Sequence, residues 1–278
     1  MKIHQIRIDF AVTEQVKRYV FVYLIEAGSC YLVDSGVYGS EEQIARYMKT
    51  IGRDISEVKA VFLTHAHPDH IGTAAWFREH TGCRIYASRG ERAWIENIDL
   101  QYQDRPIPNF YELVGKSAEV DVTVQDGDVI YLEDGMEIQV VSTPGHSAEG
   151  VSYRLGNSLF IGDAIPVKGD IPIYINAEDA LETLHTIRDL DVIHDYYPAW
   201  DRTYTFSDIN EKIDDAVHII RTLDEQVKTI LETDKAADIA AITDMVCEGL
   251  NMPYLKENPL FRGTILAHCL NYRDFPDK

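Results

Sequence analysis

The sequence predicts an α+β fold in which two β-sheets pack face to face with helices outside them, followed by a helical extension. Strand-like segments occur in two series, and each series runs into a helix. Two such halves bury their apolar faces by packing sheet on sheet, with helices on the outer surfaces. After Ser207 the pattern changes to helix alone. We therefore expect one domain over residues 1–206 and a C-terminal helical extension over residues 207–278.

The first series consists of short apolar or alternating segments. The predicted strands are residues 2–10, 18–26, 30–34, 58–63 and 84–87. One helix is expected over residues 41–51, where Ile44 and Met48 recur at helical spacing after the N-cap candidate Ser40. Another is expected around residues 73–80.

Residues 97–117 interrupt this rhythm, because they contain Pro106 and Pro108 and show no clear period. We interpret them as an insertion, either a lid over a site or an ordinary surface loop. The second series follows, and its predicted strands and helix are residues 120–124, 129–132, 136–142, 151–155, 158–161, the helix 177–190, and the strand 192–197.

The extension shows three helical patterns. Apolar residues from Ile213 to Leu231 trace one face of a long helix, and residues 236–250 form a second. Asn258-Pro259 is typical of an N-cap followed by proline at the first helical position, which predicts a third helix. The extension is expected to complete a substrate pocket or to mediate homodimerisation.

Composition excludes several classes of partner. The formal net charge of −20 repels phosphate backbones, so nucleic acid is not expected as a partner. No apolar run is long enough to span a membrane, and the first residues lack signal-peptide features. We expect a cytoplasmic protein that acts on a small molecule. The four cysteines form no Cys-x-x-Cys pair and are expected to be buried free thiols.

The segment after the predicted strand 58–63 concentrates metal-ligand types. Three histidines and one aspartate fall within six residues, and these are His65, His67, His70 and Asp69. Imidazole and carboxylate groups bind zinc-like divalent ions. His65, His67 and Asp69 are two residues apart, so an extended loop would point them to one side, with His70 directed to a second metal.

Two later turns carry further candidate ligands. His146 follows Pro144-Gly145 after one predicted strand, and Asp163 follows Gly162 after another. Loops at strand ends are rigidly held places where binding residues are exposed. Together with the first cluster, the turns supply two ligand sets, one of His65, His67 and His146 and the other of Asp69, His70 and Asp163.

These motifs resemble the metallo-β-lactamase-fold hydrolase superfamily. The resemblance lies in the His-x-His-x-Asp-His pattern of residues 65–70, the later Pro-Gly-His and Gly-Asp turns, and residues 32–36, which are similar to the early Val-Asp-x-Gly turn of the family. It implies a four-layer αββα sandwich with a binuclear zinc site. It also implies that the three-histidine set holds one ion, that Asp69 and His70 hold the other, that Asp163 bridges them, and that Asp34 supports the ligands.

One part of the chain departs from the family pattern. The family places a last histidine ligand of the second metal in a turn that corresponds to residues 196–201, and here Trp200 has that register. Three outcomes are open. In the first, which we favour, Asp201 replaces the histidine, and its carboxylate can admit Fe or Mn at the second site. In the second, the second site is weak or empty. In the third, His194 serves as the ligand instead.

The resemblance implies a metallo-hydrolase whose nucleophile is a metal-bound hydroxide, oriented by Asp69 as the catalytic residue. The expected substrate is a small carbonyl ester, foremost a thioester or a lactone. Tyr174, Tyr197 and Trp200 are the candidate substrate-binding residues. The alternatives are a mononuclear iron enzyme of the persulfide-dioxygenase type, a phosphodiesterase of the same fold, and a non-catalytic binding module.

Overall fold

The first sheet of the computed structural model, which describes residues 1–273, has six strands in chain order. Its strands are β1 (Lys2–Ala11), β2 (Lys17–Glu26), β3 (Cys30–Val33), β4 (Val58–Phe62), β5 (Arg84–Ser88) and β6 (Val122–Val124). The strands β1 to β3 are antiparallel, and β3 to β6 are parallel. All five predicted strands of the first series are confirmed to within one residue at either end. Residues 274–278 of the predicted extension lie outside the described residues.

The second sheet also has six strands, in the order β12-β11-β10-β9-β8-β7. They are β7 (Val129–Tyr131), β8 (Glu137–Ser142), β9 (Val151–Leu155), β10 (Ser158–Gly162), β11 (Asp195–Pro198) and β12 (Tyr204–Thr205). Two expectations need correction. The segment predicted to open the second series is β6, which pairs with β5 in the first sheet. The strand expected from residue 192 begins at Asp195, because Val192 has a left-handed φ of 66°.

Ten α-helices connect and follow these strands in the described chain. They are α1 (Glu41–Thr50), α2 (Pro68–Ile71), α3 (Ala74–Thr81), α4 (Arg92–Glu96), α5 (Ile98–Asp104), α6 (Phe110–Val114), α7 (Ala177–Asp189), α8 (Ile209–Thr233), α9 (Ile239–Gly249) and α10 (Pro259–Cys269). Within residues 1–273, none of them is long and apolar enough to cross a membrane.

The two predicted helix caps have different outcomes. The Asn258 side chain accepts hydrogen bonds from the amides of Leu260 and Phe261, with Pro259 at the first helical position, as expected. Ser40 makes no side-chain cap bond to α1. Its backbone is already helical, with φ −67° and ψ −20°, whereas a capping side chain needs an extended backbone to reach the first turn.

Residues 97–117 are not the surface loop that was one of the two expectations. They contain α5 and α6, and Phe110 and Val114 are buried in the core beside the first sheet. Asn97 caps α5 by accepting a hydrogen bond from the Leu100 amide. Each helix is only five to seven residues long, too short for a helical period to show in the sequence.

Two clusters of buried apolar side chains lie on opposite faces of the first sheet. Because alternate residues of a strand point to opposite faces, Val61 joins one cluster and Phe62 the other. The Phe62 cluster also contains Tyr153 and Phe160 of the second sheet, so the two sheets pack face to face. The Val61 cluster contains Phe77 of α3 and lies beneath the outer helices.

The described chain divides into two compact units. The first comprises Met1–Ser142, Glu149–Gly162 and Ile193–Thr203, and it contains both apolar clusters. The second comprises Thr143–Ala148, Asp163–Val192 and the chain from Tyr204 onward, and α7 to α10 pack together within it. The predicted apolar face of the long helix is confirmed, since Ile213, Ile220 and Leu231 of α8 are buried. All four cysteines are free and buried, as predicted.

Candidate metal centre

Two polar segments follow neighbouring parallel strands of the first sheet. The strands β3, β4 and β5 end at the same edge of the sheet, because Phe62 of β4 is the register partner of both Val33 and Tyr86. Asp34 follows β3 directly, and the histidine cluster of residues 65–70 follows β4. Sites in sheets of this kind form at the carboxyl ends of parallel strands.

The histidine cluster is part loop and part helix. His65 and His67 are buried, and the ring nitrogens His65 Nε2 and His67 Nδ1 face each other at 2.9 Å. The expectation of a fully extended loop is wrong, because Pro68 starts the short helix α2 and places Asp69 and His70 on a helical turn. The fixed φ of proline favours this first helical position.

The second half of the cluster lies beside the first. The His70 ring centroid is 4.0 Å from that of His65, and His70 Nε2 is 3.7 Å from Asp69 Oδ2. His70 is fully buried, whereas the Asp69 side chain is 18% exposed. Asp69 is thus the carboxylate of this cluster that solvent or a small substrate can reach.

Asp34 supports this cluster from behind, where the resemblance places it. Its carboxylate accepts hydrogen bonds from the Thr64 amide at 2.8 Å and the Thr64 hydroxyl at 2.9 Å. His70 Nδ1 donates to Asp34 Oδ2 at 2.8 Å. A carboxylate that binds one ring nitrogen sets the tautomer and orientation of the imidazole, which directs the other nitrogen to a metal.

The turn that carries His146 requires glycine at position 145. Gly145 has φ +114°, and a Cβ there would lie 2.5 Å from the backbone nitrogen of Ala180 in α7. His146 Nδ1 donates to the Ile173 carbonyl at 2.7 Å, so Nε2 carries the lone pair. His146 Nε2 is 3.3 Å from Asp163 Oδ2. The turn therefore presents one imidazole nitrogen next to one carboxylate.

Four of the predicted ligands form a single group. One ligand atom from each of His65, His67, His146 and Asp163 can be chosen so that all four lie within 4.8 Å of one another. Three imidazole nitrogens and one carboxylate oxygen are a donor set that suits zinc or iron. The supporting bonds to the Thr64 hydroxyl and the Ile173 carbonyl orient two of the rings. The residues present therefore fit one divalent ion.

The other predicted ligands are outside that four-residue group. His70 lies next to its His65 ring, and the Asp69 carboxylate lies beside His70. Asp201 follows β11, and its Oδ1 accepts a hydrogen bond from the Arg202 amide at 2.7 Å. Metal binding by Asp69, His70 and Asp201 stays a prediction.

The three aromatic residues predicted to bind substrate make packing contacts. Tyr174 is 1% exposed, and its hydroxyl bonds to a histidine of α10. Tyr197 stacks on Phe160 between the sheets, with ring centroids 5.0 Å apart. Trp200 packs on Tyr19, with ring centroids 6.0 Å apart. Substrate binding by these side chains stays a prediction. Tyr174 is the one of the three that a substrate can least easily reach, because it is buried.

Two side chains that the sequence did not single out hold the backbone of Ala66, which separates the predicted ligands His65 and His67. Glu91, 4% exposed, accepts a hydrogen bond from the Ala66 amide at 3.0 Å. Gln101 of α5 donates to the Ala66 carbonyl at 2.5 Å. The segment interpreted as a lid or loop therefore supports the ligand loop. No local pattern marks either residue, because each acts through a contact distant in sequence.

We expect Glu91→Gln to weaken zinc binding about 10-fold and to lower the free energy of unfolding by about 1–3 kcal/mol. Both carboxylate oxygens of Glu91 accept backbone amides, those of Ala66 and Glu149, and a glutamine would point an NH₂ group at one of them. The measurements are zinc titration and urea unfolding. Glu112→Gln, at an exposed position of α6, removes the same charge and should change neither quantity. Equal zinc affinities in the two variants would refute this role for Glu91.

Comparison with known proteins places the chain in a family. The family model described as metallo-beta-lactamase superfamily matches residues 16–202, more than half of the chain. The chain therefore belongs to the metallo-beta-lactamase superfamily, as its motifs predicted, and its curated relatives include hydrolases, the class of enzyme that the motifs predicted.

Among curated proteins, the chain is similar to a probable metallo-hydrolase, YqgX, of Bacillus subtilis. The two are 28% identical over 156 residues, which cover 54% of this chain and 64% of the relative. It is also similar to the hydroxyacylglutathione hydrolase of Thiobacillus denitrificans, at 27% identity over 166 residues, covering 57% of this chain and 54% of the relative. The chain thus spans between about half and two thirds of the length of these relatives.

Solved structures confirm the predicted fold. The metallo-beta-lactamase family protein TTHA1429 from Thermus thermophilus matches with a TM-score of 0.74 at 20% identity, covering 96% of this chain and 91% of that one. A beta-lactamase domain protein from Burkholderia ambifaria matches with a TM-score of 0.71 at 17% identity, covering 96% and 84%. The α+β fold with two mixed sheets and C-terminal helices is therefore that of the superfamily.

Proposed function

We propose that the protein is a metal-dependent hydrolase of small carbonyl esters, with acyl thioesters as the foremost substrate class and lactones next. The observation that carries the proposal is the convergence of His65, His67, His146 and Asp163 on one position. These are also the residues to which the superfamily resemblance assigns metal binding. A second ion, held by Asp69, His70 and Asp201 with Asp163 shared, is part of the proposal.

The bound metal would supply a lowered water pKa and Lewis-acid polarisation of the carbonyl oxygen. The remaining work falls to groups of this chain. The Asp69 carboxylate is the partly exposed acid of the ligand cluster, so it can accept a proton from the attacking water and return one to the leaving group. Asp34 and the Ile173 carbonyl hold two imidazoles in fixed tautomers, so these rings need no reorganisation when charge develops.

Two observations support a small ester as the substrate. Several relatives are hydroxyacylglutathione hydrolases, a name that describes thioester cleavage, although the chain spans only about half of their length. The net charge of −20 disfavours RNA and other polyanions. We also propose that the protein is cytoplasmic and that it forms a homodimer through its C-terminal helices.

The test is metal analysis combined with a substrate panel. The purified protein is stripped with a chelator, reloaded with Zn²⁺, Mn²⁺ or Fe²⁺, and assayed on thioesters, lactones and phosphodiesters. We expect thioester or lactone turnover that disappears on chelation and returns with metal. One iron per chain with oxygen consumed in the presence of a persulfide would replace the hydrolase proposal with the redox alternative. Turnover of phosphodiesters alone would refute the substrate class, and an inert metal-loaded protein would refute catalysis.

A further inference from the structure

We propose that helix α10 is a positioning element for the metal ligand His146, acting through Thr264 and His268 on the segment that presents the Ile173 carbonyl. The proposal rests on the metal centre of the proposed function. It gives the C-terminal helices a defined task in the site, distinct from pocket formation or dimerisation.

The first step is the bond between His146 and Ile173. His146 Nδ1 donates to the Ile173 carbonyl oxygen at 2.7 Å. This bond fixes the tautomer and the ring plane, and it leaves Nε2 directed at Asp163. Because a loop carbonyl can rotate with its peptide plane, the quality of this support depends on what holds the peptide on either side of Ile173.

Thr264 of α10 holds both neighbouring peptides. Its hydroxyl donates to the Pro172 carbonyl at 2.9 Å, and its oxygen accepts from the Tyr174 amide at 3.3 Å. A hydroxyl has one proton and two lone pairs, so both bonds form at once. Thr264 is fully buried, so water does not compete for these bonds. One side chain of α10 thereby brackets the residue that bonds His146.

His268, one helical turn further along α10, provides a second anchor. The Tyr174 hydroxyl donates to His268 Nε2 at 2.7 Å, and His268 Nδ1 donates to Asp224 Oδ1 at 3.1 Å. Burial lowers the pKa of His268, although the bond to Asp224 opposes this shift. A neutral imidazole is the form that accepts at one nitrogen and donates at the other, so the chain of bonds is self-consistent.

The same segment is tied to the turn that carries the ligand. The Ile175 amide donates to the Gly145 carbonyl at 2.7 Å, one residue before His146. Residues 172–175 are thus held by α10 on one side and by the ligand turn on the other. Loss of the α10 bonds would free the Ile173 peptide to rotate, and the His146 ring would lose its fixed orientation.

The deciding experiment compares three threonine variants by zinc affinity, measured with a competing chelator. Thr264→Val keeps the side-chain shape but removes the hydroxyl, and we expect zinc affinity to fall about 10-fold, the lower end of the effect of losing a group that supports a metal ligand. Thr264→Ser keeps the hydroxyl and should restore most of the affinity. Thr243→Val is the matched control, because Thr243 is equally buried in α9 and, among residues 1–273, its hydroxyl bonds only to its own helix at Ile239.

A second readout separates positioning from general stability. The absorption spectrum of the cobalt-substituted protein reports the ligand geometry, and we expect it to change in Thr264→Val and to match wild type in Thr264→Ser and Thr243→Val. If Thr264→Val does not fold, Tyr174→Phe serves instead, since it removes the bond to His268 while it keeps the ring, and it should also weaken zinc binding.

The outcomes are distinct. Wild-type zinc affinity and cobalt spectrum in Thr264→Val, or in Tyr174→Phe where that variant replaces it, would overturn the positioning role while leaving the metal centre intact. The same loss in Thr243→Val as in Thr264→Val would overturn it by showing a general packing effect. A wild-type protein that binds no zinc would overturn the proposed function, and the positioning role with it.

Discussion

Replacement of Asp69 by alanine is expected to lower kcat on the best ester substrate by about 10²–10⁴-fold. Asp69 is the partly exposed carboxylate of the histidine cluster, 3.7 Å from His70 Nε2, and it is the group that we assign to proton transfer. Asp69→Asn keeps the shape and the hydrogen-bonding oxygen but cannot take a proton, so it should be impaired to a similar extent. Steady-state kinetics over a range of pH measure the effect.

The controls for Asp69 are metal content and charge. Asp69 is outside the group formed by His65, His67, His146 and Asp163, so the ion held by those four residues should bind with nearly unchanged affinity. Asp244→Asn removes the same charge from an exposed position of α9 and should leave kcat unchanged. A near-wild-type rate for Asp69→Ala with its metals bound would contradict the assignment.

Replacement of Asp34 by alanine is expected to lower the free energy of unfolding of the metal-free protein by about 3 kcal/mol or more. Asp34 is 2% exposed and accepts hydrogen bonds from the Thr64 amide, the Thr64 hydroxyl and His70 Nδ1, so its loss leaves several buried donors without an acceptor. Its φ of +60° adds strain for alanine, because aspartate and asparagine tolerate this conformation better. Urea unfolding measures the change.

Asp34→Asn separates the backbone effect from the carboxylate effect. Asparagine suits the left-handed backbone, but its NH₂ group would face a donor of Thr64 or His70. We expect a smaller loss of stability than for alanine, and about a 10- to 100-fold loss of metal affinity, the range found for groups that support metal ligands. A loss below 1 kcal/mol for Asp34→Ala would show that these buried bonds re-form elsewhere, and it would contradict this account.

Most strands and the longer helices could be predicted because they depend on local patterns. Alternation and short apolar runs predicted the strands of the first sheet, and the spacing of Ile213, Ile220 and Leu231 predicted the long helix α8. Two assignments failed where the deciding contact is distant. The strand β6 pairs with β5 across three intervening helices, and α5 is held by Gln101 bonding to Ala66.

In the candidate site, too, some features follow from local sequence and others depend on tertiary contacts. The sequence by itself determined which residue types could bind a metal, since the spacing of residues 65–70 and the glycine turns before His146 and Asp163 are local features. Only the tertiary structure decided which ligand atoms converge and what supports them. Support from Glu91, Gln101, Thr264 and the Ile173 carbonyl comes through hydrogen bonds between residues 25 to 92 positions apart. Such bonds follow from packing of whole elements, and packing is set by burial over the entire chain, which no short motif encodes.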